Sequence, residues 1–232
     1  MAYILCIETA TQVCSVALAL NGNCLAKYNH PEANAHAAEL HLMVEKILQE
    51  TRITLSDLAA IAISKGPGSY TGLRVGVSTA KGYAYALGIP IIAINTLSSL
   101  TSMAINSLAE PNDKAIYIPM IDARRMEVYT AIFNAELHIL KETCALVVEN
   151  NSFEEIAKHP KAYFFGNGAN KCTTVLNQAN LQFIPGIHCC ASGLCQLSYE
   201  AYKNKTFENL AYFEPYYLKD FIGTKAKNKF FS

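Results

Sequence analysis

A glycine-rich block in the first third of the chain has the residue types of a loop that could hold a phosphate. An apolar run, Leu58 to Ile63, predicts a buried strand, after which the chain reads Gly66-Pro67-Gly68-Ser69-Tyr70-Thr71-Gly72. Glycines beside a proline favour a sharp turn, and the hydroxyl of Ser69 or Thr71 can cap the following helix. Two interpretations remain open: an anion held by the free amides of that helix, or a tight turn into a closely packed helix. The block matches neither Walker A nor Rossmann spacing.

Two carboxylates could provide metal chemistry, because each follows an apolar run that predicts a buried strand. Glu8 follows Tyr3 to Ile7, and Asp122 follows Tyr117 to Ile121. In a duplicated fold these strand ends would face one cleft, where two carboxylates could hold Mg²⁺ on a nucleotide. The alternative is that each carboxylate accepts backbone amides at its own turn. The candidate nucleotide or anion site comprises Glu8, Thr9, Gly68, Ser69, Asp122 and Arg124.

No metal centre and no catalytic set of side chains is expected in this chain. His36 and His41 are five residues apart, so their rings would point about 140° apart on a helix. The eight cysteines form no C-x-x-C pair. Cys6 and Cys14 lie in apolar strand runs, which predicts reduced, buried thiols of the kind found in the cytosol.

The composition limits the partners that the chain can have. Its 232 residues carry a formal net charge of +0, so there is no overall basic field for nucleic acid. Any RNA contact would therefore be local or made through a partner. Charged residues are 16% of the total, and such a surface predicts an uncovered apolar patch for another protein. No signal peptide or membrane span is predicted, so we expect a cytoplasmic protein without membrane contact.

The hydrophobic pattern predicts an α/β protein made of two similar units. In the first unit we predict strands at 3–7, 14–20, 24–28, 58–63 and 89–94, and helices at 35–50, 70–87 and 96–108. A meander followed by alternating helices and strands predicts a mixed sheet with helices on its faces. The pattern restarts at Tyr117, which divides the chain into units 1–109 and 110–232. The second unit is predicted to have strands at 117–122, 127–133, 139–148 and 162–165, and helices at 153–158, 170–178 and 191–202.

Small residues recur every four positions in the predicted helix at 70–87. Gly72, Gly76, Ala80 and Ala84 would form one ridge with almost no side chain. Glycine costs about 1 kcal/mol per position relative to alanine inside a helix. The ridge therefore indicates that another backbone comes very close to this helix.

Motifs along nearly the whole chain resemble the TsaB (YeaZ) family of bacterial tRNA threonylcarbamoyladenosine synthesis. The matching segments are residues 4–11 with 14–18, His36 with Leu40, Met43 and Val44, residues 66–76, residues 122–129, Gly166-Asn167-Gly168-Ala169 and Pro215-Tyr216-Tyr217-Leu218-Lys219. The Gly-Pro-Gly block combined with Asp-Ala-Arg-Arg is specific to this resemblance. It implies two ribonuclease H-like domains of the actin and hexokinase class.

The resemblance also implies that this chain is non-catalytic and has no cofactor. The catalytic paralogue of the family, TsaD, shares the Gly-Pro-Gly block and then has a metal-binding His-x-x-x-His pair. Thr96 and Leu100 stand at those two positions here, and neither can replace imidazole on a metal. Members of the family often have Asp where Glu8 stands, so nucleotide binding by the lone chain is expected to be weak or absent.

The implied partners are a TsaD-type catalytic paralogue, a TsaE-type ATPase, and tRNA through the complex. The complex transfers threonylcarbamoyl to N6 of adenosine 37 in tRNAs that read ANN codons. Pairing would use the first two helices, with a homodimer expected when the paralogue is absent. The predicted pairing residues are His36, Leu40, Met43, Ile47, Gly72, Leu73, Gly76, Val77 and Ala80. The alternative hypothesis is an ATP-dependent phosphotransferase of the actin and sugar-kinase class that acts alone.

Overall fold

The first of two sheets is formed by the N-terminal half of the chain. The computed structural model describes residues 1–30, 36–108, 113–176 and 180–219, without the side chains of 36–38, 155 and 157. The five strands are β1 (Tyr3–Glu8), β2 (Cys14–Leu20), β3 (Asn23–His30), β4 (Leu58–Gly66) and β5 (Ile91–Asn95), in the spatial order β3-β2-β1-β4-β5. The central strand β1 is antiparallel to β2 and parallel to β4, so the predicted mixed sheet is confirmed.

The second sheet repeats this connectivity. Its strands are β6 (Ile116–Asp122), β7 (Glu127–Phe133), β8 (Ile139–Val147), β9 (Ala162–Phe165) and β10 (Leu181–Ile184), in the order β10-β9-β6-β7-β8. Here β6 is the central strand, antiparallel to β7 and parallel to β9. The predicted restart of the pattern at Tyr117 is therefore confirmed, whereas the short strand β10 was not predicted.

Five α-helices accompany the strands in the described part of the chain. They are α1 (His36–Thr51), α2 (Tyr70–Leu87), α3 (Thr96–Ser107), α4 (Ala169–Cys172) and α5 (Cys195–Lys203). The helix predicted at 170–178 is shorter than expected, since α4 ends at Cys172, and residues 177–179 lie outside the described part. Single 3₁₀ turns at Leu55–Asp57, Glu154–Lys158 and Ala191–Leu194 complete the fold. No described helix is long and apolar enough to cross a membrane.

Each half of the chain contributes a helix to the core of the other half. Helix α3, from the N-terminal half, packs Leu97 and Leu100 against Tyr117 of the second sheet. In return, the turn at Ala191–Leu194 and the start of α5 pack on Ile4 and Cys6 of the first sheet. The division at residue 109 stays a prediction, because residues 109–112 lie outside the described part, but the two cores exchange helices across it.

Helix α2 lies unusually close to the turn that follows β1. A Cβ atom on Gly72 would collide with the backbone carbonyl of Thr9, and one on Gly76 would collide with the Thr9 hydroxyl. Another backbone therefore does approach the glycine ridge, as predicted, and it belongs to this same chain. Gly82, on the outer side of α2, is exposed and has no atom within 4 Å of the position of an added Cβ.

Two glycines of one helix should consequently respond to alanine in opposite ways. Gly72→Ala is expected to lower the free energy of unfolding by about 1 to 3 kcal/mol, because the backbone of Thr9 would have to move. Gly82→Ala is expected to raise it by up to about 1 kcal/mol through helix propensity alone. Urea unfolding of both variants beside the wild type measures the difference, and stabilisation by both would contradict the close packing at Gly72.

Candidate functional site

Glu8 ends β1 inside the protein rather than in an open cleft. Its side chain is fully buried, and Oε1 accepts hydrogen bonds from the Ala10 amide at 2.7 Å and from the Ser64 hydroxyl at 2.7 Å. Oε2 is buried and has no hydrogen-bond partner among the described residues, and the same holds for the Thr9 hydroxyl. A carboxyl in this environment is favoured as the neutral acid.

The pKa of Glu8 reflects this burial. Desolvation raises the pKa from 4.5 to about 7, although the hydrogen bonds from Ser64 and from the Ala10 and Thr9 amides oppose the rise. A Mg²⁺ ligand has to be an ionised carboxylate, which such an environment disfavours. The geometry supports the alternative in which Glu8 organises its own turn.

The glycine-rich loop is held against that same turn. The Ser69 amide donates to the Ala10 carbonyl at 2.7 Å, and a Cβ on Gly68 would collide with Ala10. The Ser69 hydroxyl caps α2 by accepting the Gly72 amide at 3.3 Å. The side of the loop that faces β1 is filled by the protein itself, which supports the interpretation as a tight turn over that of a phosphate cradle.

Asp122, the second candidate carboxylate, lies on the surface at the end of β6. It forms an ion pair with Lys171 and accepts the Arg124 amide at 2.8 Å. No hydrogen bond or ion pair in the described part of the chain joins Asp122 to Glu8; each carboxylate accepts a backbone amide of its own turn and a side chain from a neighbouring element. Among the residues that the structure describes, no group of three or more His, Cys, Asp and Glu side chains could hold a metal ion.

The predicted pairing residues require a correction. All of those whose side chains are described are buried inside this chain, because they form the apolar stripes by which α1 and α2 pack on the first sheet. They are Leu40, Met43, Ile47, Gly72, Leu73, Gly76, Val77 and Ala80. The side chain of His36 lies outside the described part. The glycine ridge signalled a close neighbour correctly, but the sequence did not show that the neighbour is internal.

The exposed faces of the same two helices present other residues. On α1, Leu42 is 56% exposed, and on α2, Tyr85 is 81% exposed. A surface cavity of about 520 Å³ is lined by α1, by the residues that follow it at 52–55 and by Tyr83 of α2. Within this lining, His41 Nδ1 and the Tyr83 hydroxyl are 3.0 Å apart. These helices therefore present two large side chains, Leu42 and Tyr85, that the chain itself leaves uncovered.

The C-terminal segment is hydrogen-bonded to α2 and to both sheets. Residues 209–219, which we call the strap, run along α2. The strap's Tyr216 amide donates to the Lys65 carbonyl at 2.7 Å, and Lys81 Nζ donates to the Phe213 carbonyl at 3.1 Å. Lys219 Nζ reaches Glu127 Oε2 at 2.7 Å. Nothing in the sequence indicated the contacts of this segment with α2 and β7.

A comparison with known protein families matches residues 29–227 to the model described as TsaD: tRNA N6-adenosine threonylcarbamoyltransferase. Two curated relatives are called tRNA threonylcarbamoyladenosine biosynthesis protein TsaB. The Bacillus subtilis protein is 34% identical over 60% of this chain and 58% of its own length. The Escherichia coli protein is 35% identical over 57% of this chain and 55% of its own length. The chain thus spans little more than half the length of these relatives.

Among solved structures, YeaZ from Pseudomonas aeruginosa superposes with a TM-score of 0.82 and 26% identity, covering 94% of this chain and 100% of that chain. This similarity extends over both sheets and the helices between them. The predicted fold of two ribonuclease H-like domains with mixed sheets is confirmed.

The burial of Glu8 predicts how stability depends on pH. Because its pKa is about 7 in the folded protein and 4.5 as the ordinary value, the folded state binds the proton more tightly. The contribution of this proton to the free energy of unfolding is complete below about pH 4.5. It is lost as the pH rises through about 7, and the total loss is about 3 kcal/mol.

Glu8→Gln replaces the neutral acid by a permanently neutral group of similar shape. We expect this variant to lose less stability than the wild type between about pH 5 and about pH 8, measured by urea unfolding. Asp122→Asn is the control at an exposed, paired carboxylate and should not flatten the profile in this way. If the free energy of unfolding changed with pH in the same way for the wild type and Glu8→Gln, the raised pKa of Glu8 would be contradicted.

Proposed function

The chain belongs to the TsaB (YeaZ) group of the tRNA N6-adenosine threonylcarbamoyltransferase family, and we propose that it acts in threonylcarbamoyladenosine formation as a non-catalytic subunit. The observation that supports this most directly lies at the start of α3. Thr96 is buried and its hydroxyl accepts the Gly66 amide at 3.1 Å, and Leu100 is buried in the core beneath the second sheet. Thr96 is engaged by the Gly66 amide and Leu100 is packed in the core. Neither side chain is therefore available to a metal or a substrate.

The partner in this proposal is a TsaD-type catalytic paralogue. The complex would recruit a TsaE-type ATPase and transfer threonylcarbamoyl to N6 of adenosine 37 in tRNAs that read ANN codons. The alternative of a free-standing phosphotransferase has less support, because Glu8 is fully buried and its carboxyl is bonded to Ser64 and to the Ala10 amide. Nucleotide binding by the lone chain is accordingly proposed to be weak or absent.

We assign pairing to the outer faces of α1 and α2. On α2 this face carries mainly small side chains, so that a neighbouring helix can approach closely. Its residues are Thr71, Val75, Ser78, Gly82 and Ala86, with the exposed Tyr85 beside Ser78 at its margin. Leu42 adds an exposed apolar side chain from α1. Because an equivalent helix pair on a second copy would present the same face, self-pairing is proposed when the paralogue is absent.

A bulky charged residue on this face should prevent pairing while the monomer stays folded. Gly82→Arg has room in the monomer, where an added Cβ would meet nothing within 4 Å. We expect it to weaken the affinity for the TsaD-type paralogue by about tenfold or more, measured by titration calorimetry. Glu200→Arg, at an exposed position of α5, is the matched control and should pair like the wild type.

Thermal unfolding and circular dichroism verify that both variants are folded before the titration. A folded Gly82→Arg protein that pairs with unchanged affinity would remove α2 from the interface. A wild-type chain that does not associate with the paralogue at all would refute the proposed function itself.

A further inference from the structure

We propose that this chain contacts RNA directly, through side chains of α2, the strap and the hairpin between β6 and β7. The inference rests on the proposed function, in which tRNA is the substrate of the complex. The surface, which we call the basic-aromatic band, consists of Tyr70, Arg74, Tyr217, Arg124 and Arg125. It has an aromatic part and a basic part that the strap joins.

The aromatic part combines two tyrosine rings with a guanidinium group. The rings of Tyr70 and Tyr217 lie 4.8 Å apart at 34°, and the Arg74 guanidinium lies 4.9 Å from the centre of the Tyr70 ring. Tyr217 is 36% exposed. Tyr70 is half-buried, so Tyr217 is the ring open to a base; an exposed aromatic ring beside arginine is the kind of group on which unpaired bases stack in single-stranded nucleic-acid sites.

The basic part is the tip of the β6–β7 hairpin. Arg124 and Arg125 are both exposed and adopt positive φ angles of 74° and 46°. Nearby carboxylates are already neutralised, Asp122 by Lys171 and Glu127 by Lys219. Within the described ranges neither arginine side chain has an ion-pair partner, so the tip presents two uncompensated cations, which suit phosphate oxygens.

The strap brings the two parts together. Tyr217 and Lys219 are two residues apart, a span of at most about 7 Å, and Lys219 is bonded to Glu127 at the base of the hairpin. The Glu127 amide in turn donates to the Arg124 carbonyl at 3.0 Å. A short stretch of RNA could therefore touch stacking and phosphate-binding groups at once.

Local charge is compatible with the composition of the whole chain. A protein with a net charge of +0 gains no affinity for nucleic acid from its overall field, so any contact has to come from a local arrangement of cations. One further carboxylate, Glu214, acts on Tyr217 from within the strap, which limits the positive potential there. The basic part of the band lies on the β6–β7 hairpin, whereas its aromatic part adjoins the outer face assigned to pairing, because Ser78 of that face lines one surface pocket with Arg74 and Tyr217.

The test measures tRNA affinity by fluorescence anisotropy, with the lone chain and with its complex with the catalytic paralogue. The probe is an unmodified transcript of a tRNA that reads an ANN codon. The double variant Arg124→Ala with Arg125→Ala should bind about tenfold more weakly. Its slope of log affinity against log salt, taken between about 50 and 200 mM, should be smaller by about 1.5, as expected for two lost phosphate contacts.

Two further variants separate stacking from charge. Tyr217→Ala should weaken binding by about fivefold or more without changing the salt slope. The matched control is Lys203→Ala with Lys205→Ala, which removes two neighbouring exposed cations at the end of α5 and should leave both quantities unchanged. Circular dichroism verifies folding of each variant.

Three results would overturn the inference: no tRNA binding by either the chain or the complex beyond that of the paralogue alone, unchanged affinity and slope in the arginine variant, or an equal loss in the lysine control. Complex formation is measured separately in the same samples. If the chain does not pair with the paralogue, the proposed function fails. The RNA contact is then tested by the tRNA titrations of the lone chain and its variants. If it pairs normally and the arginine variant binds tRNA like the wild type, only the present inference fails.

Discussion

The contact between the turn after β1 and the helix α2 determines where most of the functional surfaces lie. Thr9 and Ala10 fill the space that Gly68, Gly72 and Gly76 leave open, which sets the depth at which α2 packs on the first sheet. The strap is bonded to α2 through Lys81 and to the end of β4 through Lys65. A shift of α2 would therefore move the pairing face and the aromatic part of the band together.

Glu8 belongs to the same contact. Its hydrogen bonds and its protonation explain why a carboxyl is tolerated at this buried position. Oε1 ties β4 to the turn by accepting from Ser64 and from the Ala10 amide at once. A neutral acid retains this acceptor without the cost of a buried charge, which for an unpaired carboxylate amounts to several kcal/mol. The strand end that could have been a metal ligand is thus part of the packing, and function has to be sought on the outer surfaces.

Much of the fold could be predicted from the sequence, because apolar periodicity determines which segments form strands and helices. Strands β1, β2 and β6 and helix α2 were located to within a residue or two. The four-residue strand β10 is half-buried and carries Gln182 among apolar neighbours, so it left too short a pattern to detect. Predicting the site was harder, since the pairs Asp122–Lys171 and Glu127–Lys219 join residues that are 49 and 92 positions apart. Spacing in a single sequence does not encode such pairs.

The exchange of helices between the two halves has a consequence for an RNA contact. Because α3 packs beneath the second sheet and α5 on the first, neither sheet can move without disturbing the core of the other. The hairpin that carries Arg124 belongs to the second sheet, and Arg74 belongs to a helix of the first. Cations fixed in this way lose little conformational freedom of the backbone when they meet a phosphate chain. Two uncompensated arginines on a rigid framework can therefore contribute to affinity in a protein whose total charge is zero.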